Sequence, residues 1–281
     1  MEYVTLNNGV EMPIIGYGVN KLEKEETERC VLDALKAGYR LIDTAESYAN
    51  EEEIGSAIKK SGIPREEIFL STKIKVANFG YEKTRESVLS DLEKFGTDYI
   101  DLCLVHQPIG DYFGAYKALE DLYFEGKIKA IGISNFYAYK MVDIASFARV
   151  KPAVNQVELH PFHQRIESKE WHDKYDVQMQ AWAPLGQARA NMLELPELRE
   201  IARRYKKSVA QVILRWHIQR GIAAIPGTPD VNYMKENLDV FDFRITESDM
   251  ERIKKLDMER SLFYSHTDPV TVEIFAKKAK E

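Results

Sequence analysis

Eight short apolar runs punctuate this chain at near-regular intervals, and that spacing constrains the fold more than any other feature. They are centred on Ile14-Ile15 and Leu41-Ile42, then Ile68 to Thr72, Ile100 to Val105, Ile128 to Ser134, Ala153 to Val157, Val177 to Trp182 and Ile222 to Pro226. The runs are mostly apolar without alternation, as expected of parallel strands covered on both faces. Between them, stretches such as 25–37, 51–60, 82–95 and 112–125 space their apolar residues three and four apart, as in Val31 and Leu35 or Val88, Leu92 and Phe95. That is the helical period. Strand-helix alternation of this regularity predicts a parallel sheet, and eight βα units in roughly 250 residues predict a single (β/α)₈ TIM barrel. A doubly wound sheet would also alternate, but it would want Gly-x-Gly-x-x-Gly after its first strand. Gly16-Tyr17-Gly18-Val19-Asn20-Lys21 lacks the third glycine. Ahead of the barrel, Asn8-Gly9 separates two β-like halves between Tyr3 and Met12, a strong hairpin signal. One domain over residues 1–281 is expected, with 261–281 folding over the barrel as a loop and a short helix.

Composition narrows the function. The formal net charge of -6 excludes broad electrostatic attraction to nucleic acid or acidic lipid. No apolar run approaches the ~20 residues of a membrane helix, and the start, Met1 to Leu6, lacks a basic region followed by an apolar one. Cys30 and Cys103 are the only cysteines and both sit in apolar contexts, so no disulfide framework is implied. A cytoplasmic protein with no nucleic-acid or membrane partner is the expectation.

The polar residues that follow the strands carry the chemistry. Asp43 ends the second strand and Tyr48 follows five residues later; Lys73 ends the third strand and His106 the fourth. A free tyrosine has a pKa of about 10, too high for easy proton exchange near neutrality. A lysine beside it would favour the phenolate, and a carboxylate would hold the lysine charged. This assigns Tyr48 as general acid, Lys73 as its tuner, Asp43 as the lysine's anchor and His106 as a hydrogen-bond partner of the substrate oxygen. Each has a plain alternative: a capping acid, a buried ring, a solvated lysine, a core histidine. Together, at three successive strand ends, they form a proton-transfer site. His160 and His163 form a His-x-x-His pair without further ligands at metal spacing, and no metal is expected.

Three longer words carry a family resemblance. They are Asp-Thr-Ala-x-x-Tyr-x-Asn-Glu-x-x-x-Gly from Asp43 to Gly55, the run Gly126 to Phe136 (GKIKAIGISNF), and the run Val154 to Pro161 (VNQVELHP). With them the chain resembles the aldo-keto reductases from about Val4 to about Pro269, and within them a bacterial branch similar to 2,5-diketo-gluconate reductases. The resemblance implies reduction of aldehydes or ketones by hydride from NAD(P)H, with a hairpin plugging the bottom of the barrel. It implies cofactor contacts from Ser134, Asn135 and Gln156 to the nicotinamide carboxamide and from Trp182 to its ring. Pro184 and Leu185 would lie in the pyrophosphate loop, and Thr228, Glu236 and Asn237 on the adenosine side.

The chain departs from the family at two places. Gly227 and Tyr233 stand where NADPH-preferring relatives carry a lysine and an arginine, the cations a 2′-phosphate needs. NADP(H) and NAD(H) therefore both remain open as cofactor, with Lys235 or Arg189 as possible substitutes for the lost charge. On the substrate side, Asn20, Lys75 and Gln107 replace frequent aromatics and predict a wetter pocket for a small carbonyl substrate, with Tyr17, Phe79, Tyr112 and Phe113 as apolar wall. Two other readings use the same barrel: a monomeric enzyme competes with a nucleotide-binding, redox-sensing regulatory subunit, and a metal-dependent isomerase is disfavoured by the meagre ligand set.

Overall fold

The structure, a computed structural model, describes residues 1–280. Strands β1 (Tyr3–Thr5) and β2 (Glu11–Pro13) pair antiparallel, Val4 opposite Met12. Their connection is closed by Leu6 N–H to Val10 O at 2.9 Å and Gly9 N–H to Leu6 O at 2.8 Å. The side-chain amides of Asn7 and Asn8 donate to the carbonyls of Pro152, Asp176 and Lys129, each at 2.9 Å. All three acceptors lie at the starts of later strands, so the hairpin seals the amino-terminal end of the barrel.

The barrel strands are β3 (Tyr17–Gly18), β4 (Leu41–Asp43), β5 (Phe69–Ile74), β6 (Ile100–Val105), β7 (Ile128–Ser134), β8 (Val154–Glu158), β9 (Gln178–Trp182) and β10 (Ala223–Ile225), hydrogen-bonded in that order and all parallel. The ring closes through a bridge between Ile15 and Ala224, with Gly16 N–H to Ala224 O at 2.9 Å and Gly18 N–H to Pro226 O at 3.0 Å. The sequence places the first strand at Ile14-Ile15, whereas its ladder to β4 uses Tyr17-Gly18. Both pairs serve, because strands in a sheared barrel meet their two neighbours at different heights: residues 14–16 close on the last strand and residues 17–18 on the next. Every residue of β5 and β6 is buried, which explains their unbroken apolar runs.

Among the described residues, eleven α-helices connect and cover the strands: α1 (Lys24–Ala37), α2 (Glu51–Ser61), α3 (Tyr81–Phe95), α4 (Tyr112–Phe124), α5 (Ala138–Phe147), α6 (Ile166–Tyr175), α7 (Pro196–Tyr205), α8 (Val209–Gln219), α9 (Val231–Leu238), α10 (Glu247–Lys254) and α11 (Pro269–Lys278). Helix α1 shows the local logic. Cys30, Val31, Ala34 and Leu35 form its inward stripe, and the helix stops at Gly38. Burial of each large aliphatic side chain on such stripes stabilises the fold by about 1.5–3 kcal/mol. Helices α2 and α3 approach backbone to backbone at Gly55, where an added Cβ would lie 2.5 Å from the Phe95 carbonyl oxygen. A larger residue there would force the two helices apart. Among the described residues, no helix is long and apolar enough to cross a membrane.

Candidate active site

The strands deliver their polar ends to the carboxyl-terminal mouth of the barrel, where such folds place their chemistry. Lys73 is fully buried and donates to Asp43 Oδ2 at 2.6 Å and to the Thr44 carbonyl at 2.7 Å. The other carboxylate oxygen of Asp43 accepts from Ser71 Oγ at 3.0 Å and Gln156 Nε2 at 2.9 Å. The buried ion pair is thus hydrogen-bonded on both sides, the condition under which such a pair is tolerated. A single 3₁₀ turn, Glu46–Tyr48, carries the tyrosine above this pair. The Lys73 ammonium lies 5.7 Å from the centre of the Tyr48 ring. His106 meets the same ring edge to face, with centroids 6.5 Å apart.

The electrostatics differ from the sequence expectation in one respect. Burial first, and then the Asp43 carboxylate and Tyr264, push the Tyr48 phenol above its ordinary pKa. Lys73, the cation that would offset them, is bound to Asp43 Oδ2 and the Thr44 carbonyl. Tyr48 therefore stays protonated, which is the form a proton donor needs. Burial also pulls the Lys73 ammonium down, against the pull of Asp43 upward. The His106 imidazole is lowered to about 3 by burial, Lys73 and His266, so it is neutral at pH 7.

A cavity of about 620 Å³ opens from this floor. Asp43, Tyr48, His106, Ser134, Asn135, Gln156, Trp182, Pro184, Leu185, Thr228 and Asn20 all line it, so most of the expected site residues converge there. Asn135 is a bracket: its amide donates to the His106 carbonyl at 3.0 Å and accepts from Trp182 Nε1 at 2.8 Å. Gln156 donates to Asp43 and to Gln180 Oε1, which leaves its own carbonyl oxygen to accept from a ligand amide. The loop after β10 approaches β3 backbone to backbone, since a Cβ at Gly227 would lie 2.4 Å from the Gly18 oxygen. An indole face, an open amide carbonyl and a glycine-lined cradle fit a nicotinamide dinucleotide.

Several residues sit elsewhere. Lys75 is exposed and offers the site only its backbone, donating N–H to Glu46 Oε2. Gln107 is buried under the tail, hydrogen-bonded to His266. Glu236 and Asn237 lie outside the lining, and Asn237 is buried near Tyr39. Tyr17 is core, its hydroxyl fastening the Thr228 carbonyl at 2.7 Å, and Phe79, Tyr112 and Phe113 do not reach the cavity. The aromatic wall comes instead from the tail: Phe263 and Tyr264 pack on Trp182 with ring centres 5.1 and 6.1 Å away. Glu158, at the end of β8, holds that tail. Its carboxylate accepts from Ser261 Oγ at 2.5 Å, Leu262 N–H at 2.8 Å and His160 Nε2 at 3.0 Å. The sequence signal for Glu158 is its position two residues after Gln156 on the same strand.

Buried and half-buried histidines make a stability prediction. His106, His163, His172, His217 and His266 all have lowered pKa values, chiefly from burial, with His106 and His217 at about 3 and His163 and His266 at about 4. Unfolding returns each to about 6.5 and takes up protons, so their contribution is present above pH ~6.5 and is lost as pH falls toward the folded values. Asp91, raised to about 7 by burial and by Glu46 and Glu51, works in the opposite sense, as do Glu46 and Glu51 themselves. The histidines outnumber these acids. The urea midpoint is expected to fall between pH 7 and pH 5, and a midpoint that rises over that interval would contradict the histidine environments.

An aspartate-lysine pair beneath a protonated tyrosine and a neutral histidine, beside a dinucleotide cradle, defines a carbonyl-reducing barrel. Comparison with known proteins agrees. The model of the Aldo/keto reductase family matches residues 12–258. Glyoxal reductase of Bacillus subtilis (strain 168) is 43% identical over 258 residues, covering 91% of this chain and 93% of that protein. Among solved structures, an aldo-keto reductase from a Medee basin deep-sea metagenome library superposes with a TM-score of 0.91 at 41% identity, covering 94% of this chain and 98% of that one. An aldo-keto reductase of Bombyx mori in complex with NADP gives 0.88 at 28% identity, covering 94% and 95%. The chain belongs to the aldo/keto reductase family, and it is an NAD(P)H-dependent oxidoreductase that reduces small carbonyl compounds.

Proposed function

We propose that this chain is a carbonyl reductase of the alcohol-dehydrogenase type, with Tyr48 as proton donor and small polar aldehydes and ketones as substrates. The observation that carries the reading is the convergence of Asp43, Lys73, Tyr48 and His106 on one cavity floor. Bound NAD(P)H supplies the hydride. Ser134, Asn135, Gln156 and Trp182 would hold its nicotinamide end. Neutral His106 offers an N–H to the carbonyl oxygen and fixes its place. Tyr48 gives its phenolic proton to that oxygen as negative charge develops there. Lys73, held by Asp43, is the cation beside the phenolate left behind. All these groups come from one chain, so a monomer suffices.

The substrate class follows from the rim. Asn20, Lys21 and Gln187 line the cavity with Trp182, Phe263 and Tyr264, and Lys21 Nζ donates to Gln187 Oε1 at 2.7 Å. A large apolar ketone would strip water from these polar groups without replacing it. The similarity to a glyoxal reductase supports small aldehydes and dicarbonyls. A panel of glyoxal, methylglyoxal, hydroxylated aldehydes and bulky apolar ketones is expected to give the polar members a kcat/KM higher by about tenfold or more. The reverse order would sink this assignment.

Cofactor selectivity is expected to be weak. Tyr233 is 58% exposed and carries no charge, and Gly227 has no room for a side chain. The amino terminus of α9 is already capped by an acid, Asp230 Oδ1 accepting from Asn232 N–H at 2.7 Å, which disfavours a phosphate there. Each charged hydrogen bond to the 2′-phosphate contributes about 1.5–3 kcal/mol, so its absence removes about tenfold or more of NADPH preference. Titration with both cofactors at one ionic strength should give dissociation constants of similar size, and Tyr233→Arg should shift the ratio toward NADPH. A wild-type preference for NADPH of about a hundredfold would show that other cations grip the phosphate.

A further inference from the structure

The turn that carries Tyr48 is fastened by a residue that the family words leave variable. Glu46 opens the Glu46–Tyr48 turn, and its side chain is 8% exposed. Its Oε2 accepts from the backbone N–H of Lys75 at 2.6 Å. Its Oε1 accepts from Asn78 Nδ2 at 3.1 Å and from the Ser87 hydroxyl. Asn78 also donates to Ser87 Oγ at 2.8 Å, and its carbonyl accepts from Thr84 Oγ1 at 2.7 Å. The carboxylate therefore ties the tyrosine turn, the chain just after Lys73 and the flank of α3 into one unit. Lys75 lies two residues beyond Lys73, so the bond links Tyr48 and Lys73 at the level of the backbone.

The turn is also flanked by a bond from Thr44 Oγ1 to Asn50 Oδ1 at 2.7 Å and ends with Ala49 N–H to Glu46 O at 3.3 Å. It is closed by Tyr48 N–H to Ala45 O at 2.9 Å, and Ala49, at φ 52, leaves it in the left-handed region. Behind Glu46 lie Glu51 and Asp91, 5% and 0% exposed, with Glu51 Oε1 and Asp91 Oδ2 unpaired. Lys94 reaches Asp91 at 3.3 Å. Lys75, Lys94 and Cys103 complete the ionisable surroundings. A carboxyl group would not be buried among two other acids without strong donors, and the three donors from residues 75, 78 and 87 are what hold it.

We infer that Glu46 is a positioning residue of the reductase site: it sets the Tyr48 hydroxyl against Lys73 and His106 by clamping the tyrosine turn to residues 75–87. The inference rests on Tyr48 as proton donor. A misplacement of about 1 Å at a reacting group costs about a hundredfold in rate, so loss of the clamp should act on the chemical step and not on binding of the cofactor.

The test compares Glu46→Ala, Glu46→Asp, Glu46→Gln and Tyr48→Phe for melting temperature, NADPH affinity by fluorescence quenching, and single-turnover hydride transfer to glyoxal. Glu46→Ala is expected to lose at least about twentyfold in the transfer rate, with NADPH affinity within about twofold of wild type. Glu46→Asp keeps the charge but withdraws it by one methylene, and should lose at least about fivefold. Glu46→Gln keeps length and an acceptor for Lys75 N–H, and should recover most of the rate. A merely structural Glu46 would move the melting temperature and leave the transfer rate alone. Transfer within twofold of wild type in Glu46→Ala, or in Glu46→Asp should the alanine variant not fold, overturns the inference. If Tyr48→Phe retains the wild-type rate, the proton-donor reading itself fails, and the two failures are distinguished.

Discussion

Tyr48→Phe is expected to lower the kcat for small aldehydes by about a hundredfold or more, the usual cost of losing a positioned general acid. Its effect on folding should be small. Among the described residues, no side chain hydrogen-bonds the Tyr48 hydroxyl. Removing the oxygen thus orphans no partner inside the protein. Binding of NADPH or NADH should change by no more than about twofold, because the proposed nicotinamide contacts, Ser134, Asn135, Gln156 and Trp182, line the cavity independently of the Tyr48 hydroxyl. Steady-state rates and cofactor titrations on the same preparation check both halves. Turnover within twofold of wild type would assign the proton to another group.

Lys73→Met is expected to be as damaging to rate and worse for stability. Asp43 would keep Ser71 and Gln156 as donors but lose its cation, inside a site where it is 5% exposed. Breaking one side of a buried pair costs roughly 3–5 kcal/mol. The Asp43 charge, already pushing the Tyr48 phenol up, would go unanswered, so any basic limb of the pH profile should move to higher pH. The double variant Lys73→Met/Asp43→Asn separates the two effects. Without the orphaned charge it should regain most of the melting temperature while remaining slow. A single variant that is both stable and fast would remove Lys73 from the mechanism.

Strand ends were legible in the sequence because parallel strands are apolar throughout, so an Asp, Lys or His where such a run stops stands out. That contrast located Asp43, Lys73 and His106, and the barrel positions them as it must once the eight runs form one ring. Orientation was less legible. The resemblance places Asn237 on the adenosine side, yet it is buried near Tyr39, because a resemblance records spacing and not which way a helix face turns. Lys75 and Gln107 looked like pocket residues by position, but the first points to solvent and the second is covered by His266 from 159 residues away. The partners of two further buried acids, Glu158 and Glu46, were hidden for the same reason. Glu158 finds its donors in the tail, 103 and 104 residues on, and Glu46 finds Ser87 41 residues on. Local composition carries no trace of such partners.

Transfer of label from cofactor to product tests the central claim most directly. The purified protein would be incubated with NADPH, and separately with NADH, each carrying deuterium at both C4 positions of the nicotinamide, together with glyoxal or a hydroxylated aldehyde. The account predicts an alcohol product carrying one deuterium per cofactor oxidised, with either cofactor, and almost none from Tyr48→Phe. Tight cofactor binding with no label transferred to any carbonyl of the panel would contradict it, and would leave a nucleotide-binding barrel without reductase chemistry.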